Sequence, residues 1–590
     1  MLSFQCGFGG GIIPAAISLP LSPDEMDDTA GHRMQSRTIR SVRLGEISVK
    51  YGVGTDSAGN RIVPAELGLV APPCKNFAYD TVLFVTLLRY VQLMQREEIQ
   101  LRVFKEHSFH ISTGSVSQLS MEGLAYLEQC HFAAAGRLAA SYRKKCFFIH
   151  LDGTNEGGEY THFVVRDGMS RNVLYSEKIP SESEDSIFPV LEKVKSLFGV
   201  PSAVISDMSE AIKNAVARVF TGVPHRLCHF HFLKAIGKDL LEEHHKRMCI
   251  SVKRMKATLS EIRNEAVLEQ GAASCGQTGR NRKIHSDRAW LVSAIDRIND
   301  SGKDLGAEGF PFDLSALAFY GRCSQVFQAL EETLQNSGGL TTGWFLRNRL
   351  QEFLLWSKGD VAQINTLNSI FNELRDILHP ETEGERIPLN WGMAGGDMRI
   401  EGMGPELERL RIRAERKTKS KGVTKYLLRA WKIVASRLKK QQGMLDPSVV
   451  VGKKTVVLPR TNNLSETGFR DAKRKARRTT GKKNLSKHMD ELPSQYFYTL
   501  NLGDPEYVRT VYGDGEIFDS FHRVDKKEVG KTVGKMKAQR KAPDSVDYKL
   551  IRSKDYIEQF RNHFSGRGLK KGNRSRLPNL TLEIQRMPIR

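Results

Sequence analysis

Residues 146–179, CFFIHLDGTNEGGEYTHFVVRDGMSRNVLYSEKI, contain three β-rich runs separated by turn residues. The runs CFFIHLD, EYTHFVVRD and RNVLYSEKI predict three sequential antiparallel strands, because Gly, Asp and Asn interrupt them at DGTNEGG and DGMS. SEDSIFPVLEKVKSLFG then predicts an amphipathic helix, PSAVISD a buried strand, SEAIKNAVARVFTG a helix, and HRLCHF a fifth strand or the start of the next helix. The order βββαβαβ predicts an α/β core with a mixed five-stranded sheet.

Three acidic residues fall at informative places on this plan. Asp152 ends the first strand and Asp207 ends the fourth, and these two strands are neighbours in a sheet built this way. Glu466 lies far along the chain, on a helix that would return to the sheet. Two-metal cleavage of phosphodiesters needs carboxylates that converge from distant sequence positions. The alternatives are a turn role for Asp152, and helix capping for Asp207 with Glu210 and for Glu466 with Asn463.

Residues 241–455 lose the β-rich rhythm and consist of long charged helical stretches, which predicts an all-helical insertion into the core. Such an insertion is tolerable because the entropy of loop closure rises only logarithmically with length. All five tryptophans lie in it. We interpret them as the core of a helical subdomain, with stacking on nucleic-acid bases as the alternative. They are Trp290, Trp344, Trp356, Trp391 and Trp431.

The segment after the insertion, RTNNLSETGFRDAKRKARRTTGKK, predicts a strongly basic helix. Glu466 shares one stripe of this helix with three cations, and an apolar stripe of Phe469, Ala472 and Ala476 lies beside it for packing. We expect the cations to contact the DNA backbone, whereas a surface helix balanced by counterions is the alternative. The expected DNA-binding residues here are Arg470, Lys473, Arg474, Arg477 and Arg478.

Upstream of the core, residues 79–140 predict a helix-turn-helix domain. YDTVLFVTLLRYVQLMQ and REEIQLRVFKEHS have helical spacing, and Ser112 is a suitable N-cap for a third helix. In such a module Thr113, Ser115 and Gln118 would face DNA, although an ordinary helical hairpin packed on the next domain has the same outline.

Composition sets limits on the remaining segments and on the partner. The chain of 590 residues carries a formal charge of +22, which favours a polyanion such as nucleic acid, and its eight scattered cysteines fit a reducing cytoplasm. No apolar run is long enough to cross a bilayer. We expect a disordered segment at 1–40, with Met34 as a possible true start, a small irregular or β segment at 41–78, core parts at 141–240 and 456–510, and a basic, loosely ordered tail at 511–590.

Four motifs make the chain resemble the Mutator-like and related bacterial insertion-sequence transposases. They are FFIHLDGT, AVISDMSEAIKNAV, CHFHFLKAIGKDL and the glutamate-helix segment RTNNLSETGFRDAKRKARRTTGK. The resemblance implies a ribonuclease H-like core whose catalytic and metal-binding residues are Asp152, Asp207 and Glu466, holding two Mg²⁺ or Mn²⁺ ions. The large gap before Glu466 departs from the family pattern, and Asp471 is the substitute candidate.

The same resemblance implies a function and its partners. It implies a transposase that binds the terminal inverted repeats of its mobile element in double-stranded DNA, cleaves there, and joins the freed 3′-hydroxyl to target DNA. A homo-oligomer in a synaptic complex and a bacterial cytoplasmic, nucleoid-associated location follow from it. The competing interpretations are an inactive transposase-derived DNA-binding regulator and a nuclease that only hydrolyses.

Cys228 and His231 lie three positions apart, with His225 and His229 nearby. We expect the pair to pack or hydrogen bond near the active site. A zinc site is the alternative, but it would need four ligands, and no second Cys/His pair stands at a suitable spacing.

Overall fold

The computed structural model describes residues 16–21, 32–55, 61–144, 146–273, 279–300, 312–336, 341–378, 399–452, 454–460, 469–470, 472–474, 476–477 and 481–540. The chain divides into two units, Met1–Val533 and Gly534–Arg590. Of the second unit, the structure describes residues up to Arg540, where the last helix ends. None of the described helices combines the length and apolar character that crossing a bilayer requires.

The chain begins with a four-stranded sheet. Strand β3 pairs parallel with β1 and antiparallel with β2 and β4. Alternate residues of β3 pack against a short helix in a small apolar core, the pattern expected for a strand with one buried face. Residues 16–19 and 32–40 thus belong to a sheet, which differs from the disordered segment expected at 1–40. The elements are β1 (Ala16–Leu19), β2 (His32–Ser41), β3 (Gly45–Thr55), β4 (Arg61–Ile62) and α1 (Ala65–Val70).

Four helices follow, and the longest of them is a core element. Ser112 caps it as expected, since its side chain accepts the backbone N–H of Ser115. Between Leu119 and Glu128 every residue is buried, so the helix reaches the surface only in its first turns and at its last residue, Ala133. The helices are α2 (Tyr79–Tyr90), α3 (Arg96–His107), α4 (Thr113–Ala133) and α5 (Ala135–Lys144).

The predicted mixed five-stranded sheet is present, in the spatial order β7-β6-β5-β8-β9. Strands β5, β6 and β7 pair antiparallel, whereas β8 pairs parallel with both β5 and β9. The predicted adjacency of the first and fourth strands is confirmed. The elements are β5 (Phe148–Thr154), β6 (Thr161–Asp167), β7 (Val173–Ile179), α6 (Glu184–Phe198), β8 (Ala203–Ser206), α7 (Glu210–Val219) and β9 (His225–Leu227).

Long helices then form the expected insertion around a large apolar core of their own. Three tryptophans are exposed and not part of that core, namely Trp290, Trp344 and Trp356. Trp431 packs against the core and Trp391 lies outside the described residues. The helices are α8 (His229–Ala273), α9 (Gly279–Asn299), α10 (Ser315–Asn336), α11 (Thr341–Leu378), α12 (Arg399–Lys419) and α13 (Lys425–Leu445).

After the insertion the chain returns to the five-stranded sheet. The hairpin of β10 (Ser448–Val451) and β11 (Lys454–Val457) brings Val449 and Leu458 against Phe148, Ala203 and Ile205. The described residues between 469 and 477 are helical and are called the basic helix below.

The last described elements are helical, which differs from the loosely ordered tail expected from 511. Phe521 is fully buried and stacks on Tyr126 of α4, with ring centroids 4.7 Å apart. The elements are α14 (Ser486–Glu491), a 3₁₀ helix (Ser494–Gly503), α15 (Pro505–Tyr512), a second 3₁₀ helix (Ile517–Arg523) and α16 (Lys526–Arg540). Residues 541–590 lie outside the described part.

Candidate active site

Asp152 and Asp207 lie on neighbouring parallel segments. The register of β5 and β8 runs from Phe148 opposite Ala203 to His150 opposite Ile205. Two further residues along each segment lead to Asp152 on one and Asp207 on the other. Because adjacent strands lie about 4.8 Å apart and directly opposed side chains share a face, the two carboxylates belong to one small region. Asp152 is 7% exposed, whereas Asp207 is partly exposed.

The capping alternative for Asp207 is not what the structure shows. Helix α7 begins after Ser209, and Asp207 Oδ1 accepts the backbone N–H of Ser209 at 2.9 Å. The Glu210 carboxylate pairs with Lys213 at 3.2 Å and Lys440 at 2.8 Å, so it does not complete a capping box with Asp207. The turn alternative for Asp152 also fits poorly, since β5 continues to Thr154.

A buried arginine shares the sheet face of Asp152. In the antiparallel register Asp152 lies opposite Val164 and His150 lies opposite Arg166, so these four side chains project to the same side. Burial lowers the pKa of Arg166 to about 10, and the negative charge of Asp152 acts in the opposite direction. Arg166 was not predicted as a site residue. Because side chains alternate between the two faces of a strand, its position in HFVVRD already put Arg166 on the face opposite to that of Val165.

A second missed residue is Glu182, in the connection between β7 and α6. A Cβ built on Gly153, next to Asp152, would lie 2.2 Å from Glu182 Oε1. Partial burial raises the pKa of Glu182, and the charge of Asp207 raises it further. The Glu182 carboxylate therefore lies beside the region of both aspartates, on a residue that is exposed to solvent.

The chain that follows the insertion packs on the same sheet. His162 Nε2 contacts the Met489 carbonyl at 2.8 Å, and the His162 ring lies against Phe497. Phe497 in turn contacts Phe469 of the basic helix, with ring centroids 5.4 Å apart. The described chain breaks off at Arg460 and resumes at Phe469, and the predicted Glu466 lies outside the described residues, as do Asp471 and Arg478.

The basic helix lies beside the loop that follows Asp152. Its predicted apolar stripe is confirmed, because Phe469, Ala472 and Ala476 are buried. Lys473 Nζ pairs with Glu156 of the β5–β6 loop at 2.6 Å, and Arg477 approaches the same carboxylate at 4.0 Å. Arg470, Arg474 and Arg477 are exposed. The helix thus presents several cations near the strand end that carries Asp152.

Cys228 directly precedes helix α8 and His231 lies in its first turn, next to the segment that carries Asp207. Cys228 is buried, and its backbone N–H donates to the Ser206 carbonyl at 2.8 Å. His225 Nε2 contacts Ser206 Oγ at 2.8 Å, and burial lowers the pKa of His225 to about 4. Among the described residues, no group of three or more His, Cys, Asp or Glu side chains is arranged to hold a metal ion. The described residues thus give no support to the zinc alternative.

The residues expected to read DNA lie at the start of α4. Thr113 and Ser115 are half-buried and Gln118 is exposed, and Gln118 Nε2 donates to Glu122 Oε1 at 2.8 Å. Their role in reading DNA stays a prediction.

No family model and no curated protein matches this chain. Among solved structures, the chain is similar to one described as the Drosophila P element transposase strand transfer complex, with 9% sequence identity and a TM-score of 0.31. That similarity covers 75% of this chain and 94% of the other, and the TM-score is too low to establish a shared fold.

The arrangement has a chemical meaning of its own. Two carboxylates at adjacent strand ends offer hard oxygen donors of the kind that Mg²⁺ and Mn²⁺ prefer. Exposed cations on the neighbouring helix would attract the phosphates of a polyanion. The described part of the region thus combines two carboxylates, to which a third ligand would have to be added to complete a cation site, with exposed cations on the neighbouring helix.

Proposed function

We propose that this protein is a DNA transposase that cleaves and joins DNA at a divalent-metal site formed by Asp152, Asp207 and Glu466. The observation that carries the proposal is the parallel pairing of β5 and β8, which leads Asp152 and Asp207 to neighbouring positions. Carboxylates that are distant in sequence but adjacent in space are what two-metal phosphodiester chemistry requires.

The sheet supports a ribonuclease H-like core. Three antiparallel strands are followed by two parallel strands on the far side of the first, with a helix before each of the last two. This is the βββαβαβ order that the sequence predicts. In it the first strand lies between the second and the fourth. Asp152 therefore stands at the centre of the sheet, where a site can be covered by the returning chain.

The donor set fits Mg²⁺ or Mn²⁺. Asp152 is buried beside Arg166, and Asp207 is partly exposed with one oxygen oriented by the Ser209 N–H. When bound, two such ions activate the attacking hydroxyl and stabilise the leaving oxygen of an in-line displacement. The chain's own part is to hold the two carboxylates in register and to place cations of the basic helix along the DNA backbone.

Two packing contacts support Glu466 as the third carboxylate. Before the break, Leu458 is buried against Phe148, Ala203 and Ile205 of the sheet. After it, Phe469 is buried and reaches His162 through Phe497. The described chain thus packs against the sheet just before the segment that contains Glu466 and reaches the sheet through Phe497 just after it, which supports Glu466 as the third ligand.

The test is a strand-transfer assay with the full-length protein, Mg²⁺ and duplex oligonucleotides made from the DNA on either side of its gene. Asp152→Asn, Asp207→Asn and Glu466→Gln are each expected to lower nicking and joining roughly a thousandfold, because each removes several kcal/mol of transition-state stabilisation. Asp185→Asn, on the exposed first turn of α6, is the matched control and should keep wild-type rates.

Each outcome has a defined meaning. Retained joining by one variant removes that residue from the mechanism, and retained joining by both aspartate variants overturns the site. Nicking without joining by the wild type would assign a hydrolytic nuclease. Specific DNA binding without nicking would assign a regulator. Titration calorimetry with Mn²⁺ gives an independent readout, since the aspartate variants should bind the ion more weakly than Asp185→Asn.

A further inference from the structure

Helix α11 (Thr341–Leu378) carries an apolar face that points to solvent. Trp344 is 41% exposed, Phe345 42%, Leu355 62% and Trp356 83%. Isolated apolar residues are normal on protein surfaces, but contiguous aromatic patches mark interaction sites. These four residues fall into two adjacent pairs on the first half of one helix.

Helical geometry aligns the two pairs. Trp344 and Leu355, like Phe345 and Trp356, are separated by eleven residues, which is close to three full turns and about 16 Å along the axis. The opposite face of the same stretch holds Leu346, Leu350 and Phe353, which are buried in the core of the insertion. The exposed pairs therefore form one stripe, directed away from the core to which α11 is anchored.

Opposite charges occupy the middle of the stripe. Arg349 and Glu352 form an ion pair at 2.9 Å between the two apolar pairs, and the guanidinium of Arg349 lies 5.0 Å from the Phe345 ring centroid. The stripe therefore reads apolar, cation, anion, apolar along the helix. This order is self-complementary when the helix is reversed.

We propose that this stripe is an interface with a second copy of the chain, formed by two α11 helices packed antiparallel about a two-fold axis that passes between Arg349 and Glu352. In this arrangement Phe345 lies opposite the partner's Trp356, and Arg349 lies opposite the partner's Glu352, with both contacts repeated by the symmetry. A parallel pair would instead place Arg349 against the partner's Arg349 and Glu352 against the partner's Glu352. Charge complementarity therefore selects the antiparallel pair.

DNA fits the stripe less well than a second copy does. Glu352 lies at its centre and would repel phosphates, and Leu355 has no aromatic face on which a base could stack. Aromatic residues and arginine are instead enriched where proteins bind one another. The proposal does not depend on the proposed catalytic activity.

The first test measures self-association of the full-length protein by sedimentation over a concentration series without DNA. Arg349→Glu alone and Glu352→Arg alone should each weaken the dimer, because each opposes like charges across the axis. An equimolar mixture of these two variants should associate again, since the glutamate introduced into one chain then meets the arginine introduced into the other. Restored association in the mixture cannot come from the ion pair within one helix.

The second test removes the apolar contacts. Trp356→Ser and Leu355→Asp should each weaken the dimer about 30-fold, the loss typical of a central interface residue. Leu101→Asp, at a similarly exposed leucine of α3, is the control and should not change association. A wild type that stays monomeric throughout, a mixture that does not associate, or a Trp356→Ser variant that loses binding to a single-stranded oligonucleotide but not association would each overturn the proposal.

Discussion

The guanidinium of Arg166 and the carboxylate of Asp152 are buried on one face of the central sheet, and the two charges interact. Arg166 Nη1 also donates to the Arg171 carbonyl at 3.2 Å, which ties it to the β6–β7 turn. A buried carboxylate is costly without a neighbouring positive charge. Arg166 thus provides charge compensation at Asp152 when no metal ion is bound.

Replacing Arg166 by Gln should therefore destabilise the protein by about 3 kcal/mol, the cost of removing one partner of a buried charge pair. The measurement is the shift of the thermal unfolding transition in the presence of EDTA, with Lys193→Gln on the exposed surface of α6 as the control. Added Mn²⁺ should reduce the deficit of Arg166→Gln if Asp152 is a metal ligand. An equal deficit with and without Mn²⁺ would argue that Arg166 acts on packing alone.

Gly153 and Glu182 provide a test of whether the loop carboxylate belongs to the site. A Cβ at Gly153 would displace the Glu182 carboxylate, which is the far end of a flexible side chain, and would lie 3.2 Å from Thr161 Cγ2, so Gly153→Ala should cost about 1 kcal/mol in stability. If Glu182 adds negative charge beside Asp207, Gly153→Ala and Glu182→Gln should weaken Mn²⁺ binding to a similar extent. Glu184→Gln, two residues along, is the control. Unchanged Mn²⁺ affinity in both variants would exclude Glu182 from the site.

His131 makes stability depend on pH. It is fully buried, its Nε2 lies 2.9 Å from the Leu174 carbonyl and its Nδ1 lies 2.9 Å from the Tyr507 hydroxyl, so the neutral ring can donate to the carbonyl and accept from the tyrosine. Burial lowers the pKa of His131 to about 4, whereas the unfolded chain keeps it near 6.5. Between these values the unfolded state binds more protons, and stability must fall as the pH falls.

Substitution of His131 should flatten that dependence. His131→Gln will lower stability at pH 7, because it removes a packed ring, but the slope of the unfolding temperature between pH 6.5 and 4.5 should become smaller. His110→Gln on the exposed surface should leave the slope as it is. Because the buried His162 and His229 and the partly buried His225 also have pKa values of about 4, the slope should shrink rather than vanish.

The sequence contains enough local information to predict the central sheet. Its strands are rich in β-branched and aromatic residues and are separated by Gly- and Asp-containing turns, and the relation of Asp152 to Asp207 follows from strand order. The contacts of Arg166 and Glu182 depend on register and on the path of a loop, which local patterns do not specify. The burial of Phe521 could not be predicted, because it lies in a tail rich in lysine and arginine and its partner Tyr126 is nearly 400 positions away in the sequence.

The exposed tryptophans show a different limit. Hydrophobic periodicity identifies α11 as a helix with one buried face, but Trp356 lies on the opposite face. A tryptophan in the sequence does not indicate whether it packs within its own chain or against a partner. The sequence predicts a place in the core of the helical subdomain for all five tryptophans. The structure supports it for Trp431, which packs against the insertion core, and not for Trp356.

The cations of the basic helix should contribute unequally to DNA binding. Lys473 is paired with Glu156, so binding a phosphate must first break that ion pair, whereas Arg474 is exposed. Arg474→Gln should lower the slope of log affinity against log salt by about 1, the value for one lost phosphate contact, and Lys473→Gln should lower it less. Glu156→Gln should strengthen binding because it releases Lys473. The measurement is fluorescence anisotropy with a labelled duplex over a salt series. Equal slopes for all three variants and the wild type would mean that this helix does not contact the DNA backbone.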